Sequence, residues 1–226
     1  MGTRLARQQS GAALALAAAL FVTAALRPCV AQQKADCPPE GFDSIEPFNV
    51  TAWTDHPWFI QEQMPVFYQK PPFFCVRAKY NMVSDTEIEV YNTASTGSVD
   101  GPPQNGGPPL KAVVPNPSEP SKLAVGLSFL PPATYGPYWV VFAGPDEDNY
   151  EYGIVSGGAP KIPGASGAGC IAGTEDDTNG SGLWLFTKDA IPKPETVKML
   201  KDKAGELGFD VSVLQPVEHE GCTYDE

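Results

Sequence analysis

The chain has 226 residues, of which 42% are hydrophobic and 19% are charged, and its formal net charge is −12. This length is sufficient for one domain with a sizeable core. An acidic chain without a cluster of lysines or arginines repels nucleic acids and anionic membranes, so no nucleic acid is expected as a partner.

The first 31 residues have the pattern of a secretory signal peptide. Two arginines precede a continuous apolar run over residues 11–26, and Cys29 and Ala31 are small residues at the positions that a signal peptidase reads. The run is short for a membrane span, and an uncleaved membrane anchor is the alternative. Cleavage near Ala31 leaves one domain over residues 32–226 with a net charge of −15, because the leader holds three of the 15 basic residues and none of the 27 acidic ones. We therefore expect a secreted protein, with delivery to another lumen left open.

Four cysteines remain after cleavage, namely Cys37, Cys75, Cys170 and Cys222. An even number of cysteines in an exported chain predicts two disulfides, and four cysteines allow three pairings. No two cysteines are spaced as Cys-x-x-Cys, so neither a thioredoxin-type centre nor a zinc knuckle is indicated.

Short segments with alternating apolar and polar residues follow along the chain. In residues 73–82, Phe74, Val76 and Tyr80 are among the residues that fall on one face, and the basic residues fall on the other. This period of two is typical of antiparallel strands with one face toward water. About eight such strands are predicted: one around Trp58, then residues 73–82, 86–92, 111–114 and 122–130, and three that start at residues 138, 150 and 183.

The segment over residues 193–208 has a different period. Val197, Leu200 and Ala204 lie at helical spacing, Pro194 stands near the start and Gly208 just past the end. This pattern predicts one amphipathic helix near the C-terminus. A last short strand is predicted over residues 209–215, and the Gly- and Pro-rich segments 100–110 and 163–182 are predicted to be loops.

The fold class is therefore all-β with one late helix. Eight antiparallel strands can close as a barrel or pack as a sandwich, and the alternation alone does not choose between them.

The succession of segments resembles the lipocalin family over nearly the whole mature chain, and in particular the subgroup with apolipoprotein D and the bacterial outer-membrane lipocalins. The segments that carry the resemblance are FNVTAWTDHPWFIQEQMP, FCVRAKYNM, EIEVYN, KLAVGLSFLPPATYGPYWVV, LWLFTKD and PETVKMLKDKAGELGFDVS. The resemblance implies an eight-stranded antiparallel up-and-down β-barrel followed by a C-terminal amphipathic α-helix.

Three short regions of the family are each present with one change. In the first region, Trp58 matches the family's tryptophan, and His56 stands where the family has glycine. The second region is PDEDNY, with Pro145 in place of threonine, and in the third Lys188 stands in for an arginine. The resemblance implies that Trp58 closes one end of the barrel and that Lys188 lies across its indole, a contact of roughly 0.5–2 kcal/mol.

The resemblance also implies the disulfide pairing and the ligand site. It pairs Cys37 with Cys170 and Cys75 with Cys222, and it places ligand entry at the open end, under the loops 100–109 and 131–137. The residues that would face a ligand inside the barrel are Phe74, Val76, Tyr80, Ile88, Val90, Val125, Leu127, Phe129, Trp184 and Phe186.

The function that follows is the binding and transport of a small hydrophobic ligand, such as a fatty acid, lysolipid, sterol, retinoid or carotenoid. One alternative is a lipocalin-fold enzyme that acts on a polyene such as a xanthophyll. Another is a secreted interaction or inhibitor barrel that acts through its loops. Transient membrane contact is left open, and a monomer is expected, with a dimer as the alternative.

The remaining polar residues give little support for catalysis, and we expect no enzyme activity, no cofactor and no metal site. His56 and His219 lack the motif context of a catalytic triad or a zinc site, and we interpret both as surface residues. Asn49 and Asn179 each begin an Asn-x-Ser/Thr sequon, which predicts glycosylation in an exported chain.

Overall fold

The computed structural model describes residues 1–2, 36–105 and 110–224. Apart from Met1 and Gly2, the predicted signal peptide lies outside the described residues. Within the described part of the chain, no helix is both long enough and apolar enough to cross a membrane.

The described residues form the elements expected from the alternation, with additions. The strands are β1 (Trp58–Gln63), β2 (Phe73–Ser84), β3 (Glu87–Ser95), β4 (Pro103–Asn105), β5 (Leu110–Val113), β6 (Lys122–Leu127), β7 (Gly136–Asp146), β8 (Asn149–Ser156), β9 (Ile162–Pro163), β10 (Cys170–Ile171), β11 (Leu183–Thr187) and β12 (Gln215–Glu218). The α-helices are α1 (Val50–Thr54) and α2 (Pro194–Glu206), and short 3₁₀ helices span Pro132–Thr134 and Val211–Val213.

Eight of these strands close into a barrel. The antiparallel pairings run β1–β2–β3–β5–β6–β7–β8–β11 and return from β11 to β1. The short strand β4 extends the sheet beside β3, and β12 pairs with both β1 and β2. The structure confirms the predicted all-β barrel, and closure leaves the ring itself without a free edge.

A bulge in β2 changes which residues face inward. Cys75 has a φ of 55°, and the pairing of β2 with β3 shifts register between Phe74 and Arg77. One extra residue reverses the alternation, so Phe73 packs in the barrel core together with Val76. The prediction that Phe74 faces inward is wrong for this reason, and its side chain is only half-buried.

A side chain that caps a turn explains why the strand predicted over residues 209–215 does not form. Asp210 accepts hydrogen bonds from the backbone N–H of Ser212 at 3.1 Å and from its hydroxyl at 2.6 Å. This local bonding favours a 3₁₀ turn over an extended chain. The strand predicted over residues 209–215 is therefore absent, and β12 begins only at Gln215.

A second apolar core lies on the outer surface of the barrel, where helix α2 packs. Leu200 and Ala204 of α2 are fully buried and belong to one cluster with Ile154 and Leu185 of the sheet. Burial of a leucine side chain stabilises by about 2 kcal/mol, so this outer layer adds materially to the fold. The helix predicted over residues 193–208 is confirmed.

Two disulfides fasten the termini to the barrel. Cys37 is bonded to Cys170, and Cys75 is bonded to Cys222, with Cα–Cα distances of 5.8 and 5.7 Å. These are the pairs that the resemblance implied. They span 133 and 147 residues of sequence, and loops of that length correspond to about 4–5 kcal/mol each in the chain-entropy model.

Candidate ligand cavity

Two tryptophans in contact with each other close one end of the barrel. Trp58, at the start of β1, has no exposed surface, and Trp53, in α1, is 1% exposed. Their ring centroids are 4.2 Å apart, and the indole N–H of Trp58 donates to the Trp53 carbonyl at 2.8 Å. Trp53 is held there because the Asn49 side chain accepts from the backbone N–H of Ala52 at 3.1 Å and so caps α1.

The residue over Trp58 is His56, whose ring centroid lies 4.5 Å from the indole. Lys188 is exposed, and its ammonium donates to the Asn149 side chain at 3.4 Å. The described contacts therefore do not place Lys188 across the indole as the resemblance implied. His56 supplies the aromatic ring at that place instead. Burial lowers the pKa of His56, although the hydrogen bond and the negative charge of Asp55 oppose this shift.

A cavity of about 610 Å³ lies inside the barrel. Seven of the ten predicted ligand-facing residues line it, and they come from the four strands β2, β3, β6 and β11. They are Val76, Tyr80, Val90, Val125, Leu127, Trp184 and Phe186.

Three predicted residues do not line this cavity. Phe74 is turned away by the bulge at Cys75. Ile88 is 1% exposed and belongs to the packed barrel core. Phe129 is 70% exposed, because β6 ends at Leu127 and a turn follows in which the Leu130 N–H donates to the Leu127 carbonyl at 2.9 Å.

Three described loops form the mouth of the cavity. Tyr68 comes from the loop after β1, Thr134 from the loop after β6, and residues 177–181 from the loop before β11. The Asn179 amide donates to the Thr134 carbonyl at 3.0 Å and so joins two of these loops. The expected loop 131–137 is at the mouth, whereas the role of residues 177–181 was not predicted.

The cavity contains a buried pair of phenols. The hydroxyls of Tyr80 and Tyr138 are 2.8 Å apart, and burial raises the pKa of both well above the usual range of tyrosine. Both groups therefore stay protonated at any physiological pH. Tyr138 opens a predicted strand, but no pattern in the sequence predicted its pairing with Tyr80.

Other polar atoms near the cavity are buried without a hydrogen-bond partner among the described residues. They are Nε1 of Trp53, Oε1 of Gln63 and Oγ of Ser181. Gln63 has no exposed surface, and both Gln63 and Ser181 line the cavity. Buried polar atoms usually have partners, so unpaired ones at a cavity indicate where a ligand or water binds.

The two histidines are not the surface residues that we predicted. His219 is 5% exposed, its Nε2 lies 2.8 Å from the Ile60 carbonyl, and its Nδ1 contacts the Tyr224 hydroxyl. Burial lowers the pKa of His219, and the side chain of His56 is 10% exposed. Within the described ranges, no group of three His, Cys, Asp or Glu side chains is placed to hold a metal ion.

No protein-family model and no curated protein matches the sequence. Solved structures of lipocalins do match. Apocrustacyanin C1 is 16% identical, with 78% of this chain and 83% of that chain covered and a TM-score of 0.52. Insecticyanin from the tobacco hornworm Manduca sexta is 15% identical, with 84% of this chain and 90% of that chain covered and a TM-score of 0.50. At these identities the likeness shows the fold, which is that of the lipocalins.

Proposed function

We propose that this protein is a lipocalin that binds and carries one small hydrophobic molecule inside its barrel. The observation that carries the proposal is the 610 Å³ cavity, which is enclosed by the strands of a closed barrel and lined largely by apolar side chains. Pockets for small organic ligands typically measure about 300–1,000 Å³. The cavity therefore matches a ligand of the size of a fatty acid, lysolipid, sterol or retinoid, and part of a longer carotenoid.

Apolar burial would supply most of the binding energy. A ligand that loses about 300 Å² of apolar surface to the cavity gains roughly 7–8 kcal/mol at about 25 cal/mol per Å². The loss of translational and rotational freedom on association offsets a large part of this gain. A barrel held by two disulfides keeps a separate cost small, that of ordering side chains and loops when the ligand enters.

Export and the finer family assignment belong to the same proposal. Two disulfides persist in oxidising compartments, which supports secretion after cleavage near Ala31. The disulfide pairing also agrees with the subgroup of apolipoprotein D and the bacterial outer-membrane lipocalins. Glycosylation at Asn49 and Asn179 stays a prediction from the sequence. The side-chain amides of both residues donate hydrogen bonds within the protein.

A titration with the oxygen-free fluorescent polyene diphenylhexatriene tests this function. We expect saturable binding of one probe per chain, with energy transfer from Trp184, which lines the cavity. Val125→Trp fills the cavity wall and should lower the affinity at least tenfold, whereas Val83→Trp, at a position 54% exposed, should leave it unchanged. A folded wild-type protein that does not bind the probe would contradict the proposal.

A second candidate is contact with a lipid surface through the mouth loops. Phe67 and Tyr68, after β1, are 58% and 63% exposed, and Phe129 and Leu130, after β6, are 70% and 39% exposed. Tyr68 and Leu130 also line the cavity, so these loops border its mouth. Flotation with phosphatidylcholine vesicles tests this candidate. Binding that is lost in Phe67→Ser/Phe129→Ser would support it, and absence of the wild-type protein from the vesicle fraction would exclude it.

A further inference from the structure

The Tyr80–Tyr138 pair of phenols has one hydrogen-bond donor without an acceptor among the described contacts. Tyr80 and Tyr138 share one hydrogen bond at 2.8 Å, and either hydroxyl can be its donor. Each phenol carries one O–H, so one proton of the pair has no acceptor among the described contacts. The two residues line the cavity on neighbouring parts of its wall, so a ligand in the cavity is positioned to meet this proton.

Trp53 adds a further donor at the same place. Its indole N–H is buried without a hydrogen-bond partner at normal geometry, but it faces the Tyr138 hydroxyl as a weak donor and so opposes the rise in the pKa of that phenol. An indole N–H cannot accept a hydrogen bond. The three side chains therefore supply three donors against two phenol oxygens that can accept, which leaves one O–H without an acceptor.

The wall of the cavity has no positive charge to offer an anion. Among the described residues that line it, none is a lysine, an arginine or a histidine, and Asp177 at the mouth is acidic. Lys70, which follows Gln69 at the mouth, is paired with Glu175 at 3.6 Å. A carboxylate moved into this cavity would lose its hydration without gaining a cation, which is costly.

We propose that the ligand is uncharged and that it carries a hydrogen-bond acceptor oxygen, such as a ketone, aldehyde or ester carbonyl, which binds to the Tyr80–Tyr138 pair. This inference rests on the proposed function and narrows it. It disfavours fatty acids and other carboxylates, and it favours neutral oxygenated lipids. The acceptor satisfies the spare O–H, and the neutral charge avoids the desolvation penalty of an anion.

Three probes of similar length separate this inference from the proposed function. Diphenylhexatriene reports on the cavity alone, all-trans-retinal adds an acceptor oxygen, and all-trans-retinoic acid adds a negative charge. Affinities are measured from the quenching of tryptophan fluorescence at pH 7.4. We expect retinal to bind at least tenfold more tightly than retinoic acid. We also expect the affinity for retinoic acid to rise at pH 4.5, where a larger fraction of its carboxyl is neutral.

The variant that removes the donors is Tyr80→Phe/Tyr138→Phe. It should lower the affinity for retinal about tenfold more than the affinity for diphenylhexatriene, which has no oxygen to accept from the removed donors. The matched control is Tyr152→Phe, since Tyr152 packs with the outer cluster beneath α2 and does not line the cavity. Circular dichroism and urea unfolding establish that each variant is folded.

The outcomes are distinct. Equal affinity for retinal and retinoic acid at pH 7.4, or an unchanged affinity for retinal in the double variant, would overturn the inference while binding of diphenylhexatriene still upheld the carrier function. Failure of all three probes to bind the folded protein would overturn the carrier function, and the inference with it.

Discussion

Replacement of Trp58 by alanine tests whether the closed end of the barrel, which we call the floor, has a structural role distinct from that of the cavity wall. Trp58 has no exposed surface, its N–H donates to the Trp53 carbonyl at 2.8 Å, and its ring contacts those of Trp53 and His56 at 4.2 and 4.5 Å. Removal of a fully buried tryptophan typically costs about 3–5 kcal/mol. This cost of about 3–5 kcal/mol includes the lost hydrogen bond. It is a large part of the free energy of unfolding of a typical domain, which is about 5–15 kcal/mol.

The effect is measured by urea unfolding followed by circular dichroism. With an m-value of about 2 kcal/mol per M, a loss of about 4 kcal/mol lowers the midpoint by roughly 2 M. The comparison variant is Trp184→Ala, because Trp184 is half-buried at the cavity wall and its removal leaves space that solvent can enter. We expect that variant to lose affinity for diphenylhexatriene, as seen from the probe's own fluorescence, with at most a small loss of stability.

The two variants should therefore lose different properties, stability in one and binding in the other. Trp58→Ala loses stability and, while it stays folded, retains most of its binding, whereas Trp184→Ala does the reverse. Equal losses of stability and of binding in both variants would refute the division into a structural floor and a ligand-contacting wall.

Two further predictions concern the disulfides and the buried histidine. Cys75→Ser/Cys222→Ser should lower the free energy of unfolding by about 4–5 kcal/mol, measured by urea unfolding, and a loss below about 1 kcal/mol would show that the bond adds little to the fold. Burial lowers the pKa of His219 below the usual 6.5. Below about pH 6.5 the unfolded chain therefore binds more protons than the folded protein. The stabilising contribution of the neutral His219 is complete above that pH and falls as the pH drops, by at most about 1.4 kcal/mol per pH unit. His219→Gln should weaken this fall between pH 7.5 and 5.5 in thermal unfolding, although His56 contributes in the same direction, and an unchanged slope would contradict the role of His219.

The closed barrel and helix α2 could be predicted because their signals are repeated along the chain. Alternation over eight segments tolerates an error in any one of them, and the spacing of Leu200 and Ala204 defines the buried face of the helix. The errors occur where one residue changes the local geometry. The bulge at Cys75 inverted the assignment of Phe74, and the capping of α1 by Asn49 produced a helix that the sequence pattern did not indicate.

The candidate site was predictable only in part. Tyr80 and Trp184 lie on strands in which apolar and polar side chains alternate, so their inward orientation follows from that period of two. The pairing of Tyr80 with Tyr138, the buried amide of Gln63 and the loop at residues 177–181 depend on which strands and loops meet in space. That information is absent from a local pattern. The contact of His56 with Trp58 was missed for the same reason, because a local pattern does not show which side chain lies over the indole.

The most direct test of the carrier function is native mass spectrometry of the protein purified from its own secretion route, with organic extraction of the bound molecule. We expect one apolar, uncharged and oxygen-containing molecule per chain, and a mature N-terminus at residue 32. A protein that is isolated empty and also fails to bind diphenylhexatriene would contradict the carrier function, and would indicate a barrel that acts through its loops.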